Sequence, residues 1–330
     1  MGKKSYLKKG VAAEFDQLFV STMDKMNENK VFDQYFRDRP MLAFLLERRD
    51  AEMFAGAEQY QETLEIGENP HGGWIGFNEG VSMDDYDPFN GVQYWPKALA
   101  YNLTHTWEQQ RVNRGKSMIF KLVEKKIENT RKTIMKLLST GVWTGAGGSS
   151  KEMDGLPNLI PATVPASQST TVGGVSPSTH SWWRTQGINM NGESSTAALE
   201  NNMLTMYDNI VAEGGRPTLI ACDQTTHESY EKNALDYVLY KPTRIADVTF
   251  ELCQYKGIGM TFDKDAPSGE LRMISGEDLA FGVDPEYWFA TTGWKEGQNV
   301  PYTKNRQVVC ICNLVRHAAR THGCIFNISE

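Results

Sequence analysis

Cys310, Cys312, His317, His322 and Cys324 are the residues of this sequence whose types and spacing come nearest to a metal or redox centre. Thiolates and imidazoles at such intervals can ligate zinc, but a Cys-x-Cys pair on a β-strand only sets both thiols on one face. Free cysteine is among the most often buried residue types, and five cysteines, Cys222 and Cys253 included, make an odd number unsuited to a disulfide framework. Core thiols in a reducing compartment are therefore expected, with no bridge and no metal. Asp84, Asp85 and Asp87 offer oxygens to calcium, yet the next alternate position is Phe89, which breaks the loop pattern and leaves a solvated acidic tip.

The other signatures of catalysis are equally thin. Gly145, Gly147 and Gly148 follow a helical pattern rather than a strand and lack the G-K-[ST] ending, so they make a poor phosphate cradle. No G-x-S-x-G elbow occurs, which leaves a serine nucleophile without an anchor. Trp182 and Trp183 beside Arg184 can stack on a sugar or pack as anchors; a carbohydrate-binding protein or hydrolase is the reading they keep open. No catalytic residue and no cofactor is assigned.

Charge is distributed far more tellingly. From Asp50 to Pro96 there is no Lys or Arg but ten carboxylates, and Trp74, Phe77, Tyr86, Phe89, Tyr94 and Trp95 lie among glycines and prolines without helical periodicity. From Arg111 to Lys136, nine Lys or Arg face only Glu124 and Glu128. At about 100° per residue, Arg114, Lys121, Lys125, Lys132 and Lys136 form one stripe, with Val112, Ile119, Val123, Ile127 and Ile134 nearly opposite. The apolar face makes core, and the basic face is left for solvent, nucleic acid or the acidic loop of another subunit. The acidic residues expected to meet such a surface are Asp84, Asp85 and Asp87, with Trp74, Phe77, Phe89 and Trp95 as apolar contacts.

These parts need a sizeable scaffold. The chain has 330 residues, 40% of them hydrophobic, enough for one large or two modest cores. A net charge of -7 argues against a protein whose main task is wrapping phosphate. Nowhere do 18 consecutive apolar residues occur, the lysine-bearing N-terminus has no apolar segment behind it, and Tyr6 stands where myristoylation needs Ser or Thr. Neither a membrane span nor export is expected.

Residues 11–48 read as helical pieces, the second opened by Pro40. Gln61–Ile66 and Val92–Thr106 alternate as the two strands of a long excursion. The spine helix is expected to start between Trp107 and Lys116 and run to about Ser139, with Gly141 ending it, at least ~36 Å at 1.5 Å per residue. DGLPNLI reads as a turn and strand. A second helix follows Ser194, with Leu199, Met203, Met206 and Ile210 on one face, and stops at Gly214 and Gly215. Strands are expected at PTLIACD, Val248–Tyr255, Leu271–Ser275, Tyr287–Thr292, Val308–Cys312 and Cys324–Ile328, the last pair returning near the spine, with a short helix over THESYEKNALDY.

In this order of parts the sequence resembles the major capsid proteins of tailed bacteriophages, which have the Hong Kong ninety-seven fold. The residues that carry the resemblance most specifically are Thr171–Arg184 (TVGGVSPSTHSWWR), Asp154-Gly155-Leu156 and the run NTRKTIMKLLSTGVWTG from Asn129. It implies an α+β capsid fold with an N-terminal arm at 1–49, an extended loop at 50–106, a peripheral domain with the long spine helix at 107–190 and 305–330, and an axial domain at 191–304. It also implies a virion shell of hexamers and pentamers around double-stranded phage DNA, assembled in the cytoplasm of a bacterial host. Partners would be further copies of the chain, a portal and in some cases a decoration protein. A separate scaffolding protein is expected, since no fused scaffold precedes the arm. The loop would lie across a neighbour's peripheral domain. Some relatives weld that loop through a Lys-Asn bond; with no lysine between Asp50 and Pro96, noncovalent locking is expected here. An encapsulin-like compartment resembles the same fold and is the nearest alternative.

Overall fold

In the computed structural model the described residues are 39–50, 53–56, 58–67, 71, 73–77, 80, 84–106, 116–148, 150–193, 196–234, 241–245, 248–296 and 303–329, with backbone alone described for 116–124, 196, 233–234, 241–245 and 248–252. The helical expectation for residues 11–38, Arg114 and the Ser194 cap lie outside them.

Pro40 opens helix α1 (Pro40–Glu47), where its fixed φ and missing N–H suit the first turn. Everything from Pro40 to Leu45 is buried, so this helix is a core plug rather than an amphipathic surface helix. Strand β1 (Arg49–Asp50) follows. Strands β2 (Tyr60–Glu65) and β3 (Phe89–Tyr94) form an antiparallel ribbon running from Tyr60↔Tyr94 to Glu65↔Phe89. The Ile66 N–H to Pro88 carbonyl bond of 2.8 Å extends it by one step.

The alternation from Val92 to Thr106 does not form one strand of that ribbon. Pro96 has no N–H to give a ladder and divides it. The second part, β4 (Lys97–Thr106), pairs elsewhere. Helix α2 (Lys116–Thr144) is the spine, 29 residues and about 43 Å long. It passes through Gly141 instead of ending there. A Cβ on Gly141 would sit 2.9 Å from the Met153 sulfur, so this glycine serves close packing rather than capping. The left-handed turn comes later, at Gly147 (φ 59°) and Gly148 (φ 57°).

DGLPNLI likewise forms no strand. Gly155 caps a single helical turn, α3 (Leu156–Leu159), with Pro157 where its missing donor costs nothing. Beyond it come β5 (Gln186–Asn189), helix α4 (Thr196–Ala212), β6 (Leu219–Cys222), helix α5 (Gln224–Ala234), β7 (Lys241–Ile245), β8 (Val248–Tyr255), β9 (Ile258–Phe262) and β10 (Leu271–Ile274). The remaining strands are β11 (Leu279–Val283), β12 (Ala290–Thr291), β13 (Lys295–Glu296), β14 (Thr303–Arg316) and β15 (Gly323–Phe326). Helix α4 buries Leu199, Met203, Met206 and Ile210 as its periodicity requires, and Gly214 (φ 83°) follows its end. The strand expected from Tyr287 shrinks to Ala290–Thr291.

Two sheets organise these elements. In one, β14 is flanked along one edge by β4, from Lys97↔Cys312 to Thr106↔Thr303, and along the other by β11, β12 and β13 in turn. β1 adds in parallel to β11. The other sheet has the order β5-β15-β10-β6-β9-β8-β7. One apolar cluster joins α1, α2, α3, β3, β11 and β14; a second lies between α4 and the middle of the seven-stranded sheet. No described helix is long and apolar enough to cross a membrane.

His322, immediately before β15, is fully buried, its Nδ1 accepting from the Ser275 N–H at 3.2 Å and its Nε2 donating toward the Asp278 carbonyl at 3.4 Å. Burial, helped by the Arg316 charge, pushes its pKa down to about 4. The unfolded chain therefore binds more protons between pH 6.5 and 4, so stability is full above that window and falls as pH drops through it. The loss by pH 4 is on the order of 3 kcal/mol. Thermal melts between pH 7 and 4 are expected to show that slope in the native chain and a flatter one in His322→Gln; equal slopes would refute the assignment.

Candidate functional site

The acidic loop is held at its root by a buried polar cluster. Asn313, on β14, donates from Nδ2 to the Trp95 carbonyl at 2.9 Å and to Asp154 Oδ2 at 2.7 Å, and its Oδ1 accepts from the Asp154 N–H at 2.8 Å. Asp154 Oδ1 accepts from Asn158 Nδ2 at 2.8 Å and from the Gly148 N–H at 2.9 Å. A carboxylate with this many donors is a strong fixed point, because charge-assisted hydrogen bonds in a dry setting are roughly twice as strong as neutral ones. Lys97 adds bonds from Nζ to the Gly148 and Ser150 carbonyls, both 2.7 Å. His317 Nδ1 meets Glu62 Oε2 of β2 at 2.6 Å.

Tyr94 carries the second anchor. It is buried, donates to the Arg316 carbonyl at 2.9 Å, and its hydroxyl is held protonated by burial. The TVGGV turn closes over it. Val172 and Val175 exchange backbone bonds, the Gln93 N–H donates to the Gly173 carbonyl at 2.9 Å, and a Cβ on Gly173 (φ 60°) would crowd Val92 and Tyr94 at 3.2 and 3.3 Å. Trp183 fixes the turn from behind, donating from Nε1 to the Val172 carbonyl at 2.9 Å. Its ring lies 4.4 Å from the Arg316 guanidinium.

Arg316 and Arg272 are both almost fully buried. Arg316 donates to the Leu159 carbonyl, and Arg272 reaches the Ile160 carbonyl at 3.4 Å and Glu270 at 2.5 Å. These are the carbonyls left over at the C-terminal end of α3, where a cation is also favoured by the helix dipole. Each arginine faces a tryptophan, Trp143 at 5.5 Å for Arg272 and Trp183 for Arg316. Burial lowers the Arg316 pKa to about 10. None of this was legible beforehand: the DGL turn and the WWR run carried the resemblance, but neither buried arginine was singled out.

Beyond the root the loop leaves the body. Trp74 and Phe77 are fully exposed, at 105% and 111%, Ile75 at 57% and Phe89 at 58%. Asp84, Asp85 and Asp87 are exposed as well, and Trp95, where the loop rejoins the body, is 45% exposed. On the spine, Lys125, Lys132 and Lys136 point to solvent while Ile127 and Ile134 are buried, as the stripe requires. Lys121 lies on the helix with backbone alone described, and Arg114 lies outside the described residues. Lys132 makes an i,i+4 pair with Glu128 at 3.4 Å. Two cations turn to structural use instead: Lys126 donates to the Thr104 carbonyl of β4 at 2.9 Å, and Arg131 is buried.

The thiol and imidazole residues form no centre. All five cysteines are free and buried, burial raising Cys310 and Cys324 to about 12, and no metal-competent group occurs among the described residues. Trp182 packs at a tilt against His180 and Trp183, each at 5.5 Å, and Arg184 donates to the Pro177 carbonyl at 2.7 Å, so this trio packs and anchors.

The root makes a graded prediction. Asn313→Ala leaves the Asp154 carboxylate and the Trp95 carbonyl short of a donor and is expected to cost about 2–3 kcal/mol in urea unfolding. Glu62→Gln, at the partly exposed His317 pair, is expected to cost under about 1 kcal/mol. Equal effects would contradict the placement of the main anchor.

No protein-family model and no curated protein matches the sequence. Among solved structures, the chain is similar to the capsid subunit of cyanophage A-1(L), at 15% identity and a TM-score of 0.68, covering 89% of this chain and 93% of that one. It is also similar to the capsid of a native GTA particle, at 9% identity and TM-score 0.59, over 88% and 91% of the two chains. An encapsulin complex from Synechococcus elongatus matches at 10% identity and TM-score 0.53, over 83% of each. The anchored loop, long spine helix and two-sheet body are thus those of the α+β fold found in the capsid proteins of tailed phages.

Proposed function

We propose that this chain is the major capsid protein of a tailed bacteriophage, building hexamers and pentamers that close an icosahedral shell around double-stranded DNA. The observation that carries the reading is a loop fixed rigidly at its root whose aromatic tip, Trp74 and Phe77, has no cover within its own copy. Exposed apolar area of that kind is costly for an isolated molecule and is relieved by burial against a partner. We assign residues 50–106 to the extended loop, 107–190 with 305–330 to the peripheral domain, 191–304 to the axial domain and 1–49 to the arm, with β4 and β11–β13 joining the sheet of β14 and β5 and β15 joining the seven-stranded sheet. The shell is assembled in the host cytoplasm with a separate scaffolding protein, incorporates a portal, and accepts a decoration protein where the phage encodes one.

Attraction between the loop carboxylates and the exposed spine cations acts over a Debye length of ~8 to 10 Å and steers docking, while apolar contacts hold it. An encapsulin-like compartment is the second reading, favoured by the Synechococcus elongatus match. Negative-stain imaging and nuclease-protection of particles purified with the neighbouring phage genes separate the two: protected double-stranded DNA supports the capsid, and protein cargo without nucleic acid supports the compartment.

Reversing Lys121, Lys125 and Lys132 to Glu is expected to abolish particles while the subunit keeps its native melting temperature within a few degrees. A normal particle yield would remove electrostatic docking from the account.

A further inference from the structure

Asn-Gly occurs twice in this sequence, at Asn90-Gly91 and at Asn191-Gly192. Glycine sets no side chain between its own amide nitrogen and the carboxamide of the preceding asparagine, so the nitrogen can approach that carboxamide. Whether it does depends on what holds the glycine N–H. At Asn90-Gly91, on β3, the nitrogen is turned toward its target. The Ile66 N–H to Pro88 carbonyl bond sets the phase of the β2–β3 ladder, so the backbone groups of Asn90 and Val92 face β2 while those of Gly91 and Gln93 face away. Gln93 follows this alternation, its N–H donating outward to the Gly173 carbonyl at 2.9 Å. The Gly91 N–H, on the same side, donates to the carboxamide oxygen of Asn90 itself, also at 2.9 Å. Gly91 is exposed and Asn90 partly so, which admits water and base. At the other pair the Gly192 N–H is bound to the Asn327 carbonyl at 2.9 Å. Asn191 (φ 54°) and Gly192 (φ 80°) are held there in a tight turn closed by the Glu193 N–H on the Met190 carbonyl at 3.0 Å.

We infer that Asn90-Gly91 is a self-modification site, at which Asn90 converts through a cyclic imide to aspartate and isoaspartate. Hydroxide or a buffer base removes the Gly91 amide proton, and the nitrogen bonds to the Asn90 side-chain carbonyl carbon. The carboxamide nitrogen takes a proton and leaves as ammonia. Solvent water then opens the imide. Breaking the new bond gives aspartate on the original main chain; breaking the old peptide bond gives isoaspartate, with the main chain rerouted through the side chain. One water is consumed and one ammonia released, with no change of oxidation state. Either product adds a carboxylate to a segment that already carries ten between Asp50 and Pro96. Isoaspartate also lengthens the strand by one carbon. Val92 and Tyr94 are anchored in the core, so that extra length falls on the outer pairs Leu64↔Asn90 and Glu65↔Phe89.

The chemistry is independent of the shell-subunit reading. The test incubates the full native chain in mildly alkaline buffer and follows both Asn-Gly peptides by mass spectrometry, with electron-transfer fragmentation to separate aspartate from isoaspartate. A parallel sample is held unfolded in urea. In the native chain Asn90 is expected to react at least about tenfold faster than Asn191, the ratio given by a barrier lower by about 1.4 kcal/mol. In urea the two rates are expected to converge. A Cβ on Gly91 would meet only the Glu62 carbonyl, at 3.9 Å, so Gly91→Ala fits the native ribbon. That variant is expected to slow the reaction at Asn90 at least about tenfold with an unchanged melting temperature. Native rates at Asn90 no higher than at Asn191 would overturn the inference. So would aspartate formed without isoaspartate, or an undiminished rate in Gly91→Ala, since either means direct hydrolysis rather than attack by the Gly91 nitrogen.

Discussion

The Asp154 carboxylate, closed off from water and shared among Asn313, Asn158 and the Gly148 N–H, is the constraint on which the arrangement turns. Through Asn313 it binds the end of the spine loop to β14 and to the Trp95 carbonyl, the point at which the acidic excursion re-enters the body. A buried charge left unpaired would cost several kcal/mol, so these segments hold one another in a single geometry. The same logic recurs at Arg272 and Arg316. Each buried cation satisfies a carbonyl at the end of α3 and covers an indole, so that a one-turn helix, two strands and two tryptophans lock together.

Rigid anchorage at one end and exposure at the other give the loop its mechanical character. Val92 and Tyr94 are buried, whereas Trp74 and Phe77, on the far side of the ribbon, are bare. Less entropy is lost when a preorganised element docks than when a floppy one does, and that is the advantage the anchored ribbon brings to the docking proposed for its tip. The spine complements this arrangement. Ile127 and Ile134 face the core, while Lys125, Lys132 and Lys136 remain outside on a rod that is itself fixed by Gly141 packing on Met153.

Features with a clear periodicity were legible in the sequence: the apolar face of α4, the two faces of the spine, the start of α1 at Pro40, and the alternate burial of Cys310 and Cys312. The charge division of loop and spine was also legible, though only part of it is free charge, because Lys126 and Arg131 go to structural contacts that no one-dimensional pattern distinguishes from solvent-facing lysines. Three local readings failed for local reasons. Gly141 looks like a stop because its packing partner is twelve residues away, DGLPNLI looks like a strand because a single helical turn has too few residues for a period, and Pro96 splits an alternation that composition alone presents as continuous. The root cluster was illegible altogether, since Asp154 and Asn313 meet only through tertiary structure.

The pairing of β4 with β14 joins positions about 200 residues apart, Lys97 against Cys312 and Thr106 against Thr303. Such contacts form late, because the entropy of closing so long a segment must be overcome before any ladder bond rewards it. On a translating ribosome, β4 and the acidic ribbon emerge well before their strand partner exists, and the Asn313 amide that pins Trp95 is made later still. The root of the ribbon therefore reaches its final geometry only once the distant strand has been synthesised and inserted. Chain completion thus acts as a timer for the geometry of the ribbon's root.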